Sequence, residues 1–110
     1  MLTTSFRVAA WLARCNQAGQ GAYLVRRGDE TAGAVLITES LRDGRSVVHA
    51  RRYGLDGEVV WESATGAEPV EASEASAYVD RRTALDPDIW VLEVESLAPS
   101  GDGPPFSDAL

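Results

Sequence analysis

The 110-residue chain has one cysteine, one histidine and no lysine, and each scarcity removes a class of chemistry. With Cys15 alone, no internal disulfide can form, and a reducing, cytoplasmic compartment is expected. A structural zinc site takes about four Cys or His ligands. Cys15 and His49 are the only two here, so zinc is excluded unless chains share ligands. All ten basic residues are arginine, which rules out a Schiff-base lysine and a phosphate-loop lysine. No apolar run approaches the roughly 20 residues of a membrane span, and the N-terminus lacks the basic-then-apolar layout of a secretory signal. No membrane partner is expected.

What remains is the profile of one ordinary domain: 45% hydrophobic and 25% charged residues. The charge is polarised. Residues 1–55 set eight arginines against four acids, a balance of +4, whereas residues 56–110 set two arginines against thirteen acids, a balance of −11. The net charge of −7 gives a long-range field that repels polyanions, so nucleic acid is not an expected partner.

Hydroxyls at Thr3, Thr4 and Ser5 precede Val8, Trp11, Leu12 and Cys15 at helical spacing, and Gly19 ends the pattern. A first helix is expected there. Four strands should follow, at Ala22–Arg27, Ala34–Glu39, Ser46–Tyr53 and Glu58–Ser63. Asp43-Gly44 and Asp56-Gly57 close two hairpins, because Asp-Gly readily takes the positive dihedrals of tight turns. Pro69, Glu71 and Glu74 open a second helix that runs to about Leu85, with Ala75, Tyr78 and Val79 on its apolar stripe. Pro87 stops it. A last strand, Ile89–Glu95, places Trp90, Leu92 and Val94 on one face.

The order α-β-β-β-β-α-β implies an α+β fold: a mostly antiparallel sheet, formed by a four-stranded meander plus the C-terminal strand, with both helices on one face. Residues 1–98 form the expected domain and residues 99–110 a Pro/Gly-rich tail. Val47-Val48 and Val59-Val60 put apolar residues on both sides of the pleat, so the face without helices should be covered by the tail or by another chain. A homodimer is expected on that ground.

Short runs along the chain resemble a known family: Phe6-Arg7-Val8-Ala9-Ala10-Trp11-Leu12, Val25-Arg26-Arg27-Gly28-Asp29, Ala32-Gly33-Ala34-Val35-Leu36, Leu55-Asp56-Gly57, and Asp86-Pro87-Asp88-Ile89-Trp90-Val91 with Glu93. Together they are similar to the bacterial domain-of-unknown-function family 1491, over nearly the whole chain. The resemblance implies no reaction, cofactor or partner, and no functional residue carries over.

Each candidate constellation competes with a structural role. His49, on a strand face with Val47 and Arg51, would have to serve any Ser or Cys nucleophile as base, yet a lone strand histidine more often satisfies local hydrogen bonds. Cys15 sits on an apolar stripe and reads as a small hydrophobe. Glu93 with Glu95, and Asp86 with Asp88, could hold magnesium or act as acid and base, but alternating glutamates mark a strand's solvent face and Asp-Pro-Asp marks a turn. Gly19, Gly21, Gly28 and Gly33 form no phosphate-loop pattern. Trp11, Trp61 and Trp90 read as core, with Trp61 partly exposed.

The arginine doublets Arg26-Arg27 and Arg51-Arg52 stand at strand ends, one guanidinium per face. If the first and third strands lie together, they could bind phosphate, carboxylate or RNA backbone. Pairing with the chain's own acids competes, at about 0.2–1 kcal/mol per cross-strand pair. The leading expectation is a non-enzymatic binding or self-association module with a protein partner and no cofactor. The alternative is an anionic small-molecule binder or enzyme using Arg26, Arg27, Arg51, Arg52 and His49.

Overall fold

The computed structural model describes residues 2–110. Helix α1 spans Thr4–Gln17, and the Thr3 hydroxyl at its N-cap accepts from the Phe6 N–H at 3.2 Å, satisfying one of the first-turn donors. Strand β1 is Ala22–Arg26, β2 is Val35–Leu41, β3 is Arg45–Tyr53 and β4 is Val59–Ser63. A two-residue strand, β5 (Val70–Glu71), leads into helix α2 (Ala72–Leu85), and β6 (Trp90–Ser96) follows. Gly44 (φ 90°) and Gly57 (φ 80°) supply the left-handed backbone of the two Asp-Gly turns. β5 is too short to leave a periodic signal. No helix among the described residues is long and apolar enough to cross a membrane.

The fold is α+β, but its sheet is mixed. Strand order is β1-β6-β2-β3-β4, with β5 beside β3. β2, β3 and β4 form the expected meander, whereas β6 inserts between β1 and β2, antiparallel to the first and parallel to the second. The four-stranded meander is therefore corrected to a three-stranded one, β2-β3-β4, with β6 separating it from β1.

The local cause of that insertion is visible where β1 connects to β2. The connection arches over the start of β6, and its Gly28 and Gly33 lie flat against that strand. A Cβ on Gly28 would meet the Asp88 carbonyl and come within 2.8 Å of the Ile89 carbonyl carbon, and one on Gly33 would stand 2.6 Å from the Asp88 oxygen. Glycine permits the close approach. Hydrogen bonds then stitch the arch down: Asp29 N–H to Asp88 O at 3.0 Å, Trp90 N–H to Ala34 O at 2.9 Å, and Trp90 Nε1–H to Asp29 O at 2.8 Å.

The helices lie on opposite faces, which overturns the expectation that both share one face and that the tail or another chain covers the other. Val8, Trp11 and Cys15 of α1 pack with Ala22, Val35, Ile37, Trp90, Leu92 and Val94. Ala75, Tyr78 and Val79 of α2 pack on the other side with Leu36, Val48, Ala50 and Ile89. The physical reason is that the central strands are apolar at consecutive positions, Val35-Leu36-Ile37 and Trp90-Val91-Leu92, all buried. Such strands need cover on both sides.

Residues 97–110 complete the α1 side. Trp11 Nε1–H donates to Pro105 O at 2.8 Å, the Arg14 guanidinium lies 4.9 Å over the Phe106 ring and pairs with Asp108 at 2.7 Å, and Leu110 is buried in the same core. Gly28→Ala should cost about 2–3 kcal/mol, because backbone rather than a flexible side chain blocks the new methyl. Gly44→Ala, in open space, should cost about 1 kcal/mol from the left-handed backbone alone. Urea unfolding of the two variants measures the contrast.

Candidate functional site

The α1 face of β2 and β3 carries a buried polar row: Glu39, His49 and Arg51. Strand alternation puts His49 and Arg51 on one face, and the β2–β3 register sets Glu39 beside Val47 on that face. His49 Nε2 lies 2.9 Å from Glu39 Oε1. The other carboxylate oxygen accepts from the Ser100 hydroxyl, and the Ser100 N–H approaches Oε1 at 3.4 Å. Burial pushes the Glu39 pKa up, but hydrogen bonds from His49, Ser100 and Ser96 outweigh it and hold the group below its ordinary value.

This order of groups decides the chemistry. A nucleophile relay sets the imidazole between hydroxyl and carboxylate, so that the imidazole removes the hydroxyl proton. Here the carboxylate is central and the Ser100 hydroxyl donates to it, leaving the imidazole no proton to take from the serine. The row fastens the tail to the sheet.

Arg51, 8% exposed, donates to Leu110 O at 2.9 Å and Gly33 O at 3.3 Å. Burial pulls its pKa down from the ordinary arginine value, and the nearby Arg7 charge adds to the effect. Arg52 points to the opposite face and pairs with Glu62 at 3.0 Å, both exposed. Arg26 donates to Pro87 O at 3.1 Å, while its Nε is buried without a partner. Arg27 lies 5.3 Å over the Trp90 ring. Since β6 and β2 separate β1 from β3 by about 14 Å, the five residues form no single cluster.

Other candidates resolve locally. Burial pushes the Cys15 thiol up to about 11, and no part of the side chain reaches solvent. Glu93 accepts from the Tyr23 hydroxyl, and Asp86 accepts from the Asp88 N–H at 3.0 Å. Among the described residues, no three His, Cys, Asp or Glu side chains gather as a metal-binding group.

Two features escaped the sequence reading. One is a cavity of about 730 Å³ beyond the carboxyl ends of β2 and β6, lined in part by Gln20, Ser40, Arg42, Glu95, Ser96 and Ser100. The other is the outer edge of β1, where Tyr23, Leu24 and Val25 are 45%, 40% and 57% exposed. Both follow from the insertion of β6, which no local pattern announces.

The family model described as "Protein of unknown function (DUF1491)" matches residues 2–100. The chain belongs to the DUF1491 family. A crystal structure of a DUF1491 family protein from Caulobacter crescentus CB15 is 34% identical, with a TM-score of 0.79 over 88% of this chain and 90% of that one. A solution structure of a protein from A. tumefaciens is 28% identical, with a TM-score of 0.76 over 92% and 90%. The search of curated proteins finds no match.

In this DUF1491 member the buried carboxylate gives stability a pH signature. Glu39 has a folded pKa below the unfolded value of about 4.5, so its stabilisation is complete above that value and is lost as the pH falls through the folded one. Glu39→Gln should cost about 2 kcal/mol at neutral pH. Its deficit should shrink as the pH falls below about 4.5, as unfolding followed through acid titration would record.

Proposed function

We propose that this DUF1491 member is a non-enzymatic binding module that self-associates, as a homodimer, along the edge of β1. The observation that carries the reading is an unpaired outer edge whose three central residues are apolar or aromatic and exposed. Apolar strands with a free edge are templates for pairing. A bulge between Leu24 and Arg26 ends the regular ladder, leaving Ala22–Leu24 as the straight segment.

Charge favours a second copy as the occupant. Arg26 and Arg27 stand at one end of β1, whereas Glu93 flanks the other through Tyr23. An antiparallel two-fold arrangement sets the arginine end of each copy beside the acidic end of its mate, and the contact is self-complementary. Arg26 and Arg27 are the partner-binding residues on this reading. A cytoplasmic location belongs to the proposal and is supported by the lone free thiol, Cys15.

A second reading, an anion site at Arg51 beneath the tail, is favoured by that buried guanidinium's bonding only to main-chain oxygens. Sedimentation velocity separates the two. The β1 reading expects a monomer–dimer equilibrium at micromolar concentration, shifted to monomer by Leu24→Arg, a folded variant because the site is exposed. A monomer throughout the accessible range, or a dimer indifferent to Leu24→Arg, overturns it.

A further inference from the structure

We propose that the cavity beyond the carboxyl ends of β2 and β6 binds a small zwitterion of the aliphatic α-amino-acid class, with the ligand carboxylate on Arg42 and its ammonium on Glu95. The cavity exists because two parallel strands end side by side, at Leu41 and Ser96, and then diverge. β2 turns through Arg42 into the Asp43-Gly44 hairpin, β6 runs on into the tail, and the Gly19-Gln20-Gly21 link from α1 to β1 supplies the third wall.

The walls are fixed. Arg42 N–H donates to Ser96 O at 3.1 Å, Glu95 N–H donates to Gly21 O at 2.9 Å, and Gln20 Nε2–H donates to Ser96 Oγ at 2.8 Å. These bonds hold the backbone at Arg42 and Glu95, the two charged residues of the lining. A cavity of about 730 Å³ falls within the range of small-molecule sites.

The charge of the lining selects the ligand. Arg14, Arg45 and Arg52 each pair with an acid. Arg42 and Glu95 line the same cavity, yet among the described residues neither side chain makes an ion pair or a hydrogen bond, with each other or with anything else. One uncommitted cation and one uncommitted anion complement a ligand that carries one of each. A nucleotide or polyphosphate would meet a single arginine, a carboxylate in the wall and a net charge of −7. An uncharged apolar ligand would leave Arg42, Glu95 and the Ser40 hydroxyl unanswered. Leu41, Leu97 and Pro105 offer the apolar surface that an aliphatic side chain covers.

The proposal does not depend on β1 pairing. Titration of the full chain with L-alanine, L-valine and L-leucine, followed by ¹H–¹⁵N correlation spectra, tests it directly. The expected result is saturable binding of at least one, with shifts confined to the amides of Gly19–Gly21, Arg42 and Glu95–Ala98. The amide of that amino acid, lacking the carboxylate, and its N-acetyl form, lacking the ammonium, should each bind at least about tenfold more weakly. Arg42→Ala and Glu95→Gln, both at exposed positions, should lose a similar factor while keeping the native spectrum. No saturable shift with any of the three, or an amide or N-acetyl form that binds as tightly as the free amino acid, or binding unchanged in both variants, overturns the assignment.

Discussion

The structure depends on one strand taking the middle of the sheet. β6, last in sequence, lies between β1 and β2, and its Trp90, Val91 and Leu92 are buried on both faces at once. A strand so placed must be covered on each side, and α1 with the tail and α2 do this. Its parallel pairing with β2 brings two carboxyl ends together and opens the cavity between them. Its pairing with β1 leaves that strand at the edge and carries Arg26 and Arg27 away from His49 and Arg51.

The polar row under the tail shows how burial decides what ionisable groups are for. Glu39 gives up water entirely and regains hydrogen bonds from His49 and Ser100. A buried carboxylate left without such partners would cost several kcal/mol. The arrangement therefore ties β2, β3 and the tail into one unit. The same reasoning explains why Arg51, bonded to Leu110 and Gly33, links the far end of the tail to the β1–β2 arch.

What the sequence reveals is what local chemistry determines. The Thr3 cap, the Val8-Trp11-Cys15 stripe and the two Asp-Gly turns are short-range features, and the corresponding elements form within a residue or two of their expected ends. Strand order is not short-range. Nothing within residues 89–96 says that their partners are residues 22–26 on one side and 35–41 on the other. The legible hint was the unbroken apolar run at Val35-Leu36-Ile37, which argues for two covered faces and so against both helices sharing one. Glu39 was equally hidden: its burial comes from His49, ten residues away, and Ser100, sixty-one away, which close over it. The cavity and the β1 edge are products of topology, so residues such as Arg42 carried no signal by themselves.

The account's central claim is the position of β6, and inter-strand nuclear Overhauser contacts read it directly. Cross-peaks should join Ala22 to Val94 and Ile37 to Leu92, the antiparallel and parallel partners on either side of the strand. Contacts running directly between the backbones of β1 and β2, with β6 at an edge, would contradict it.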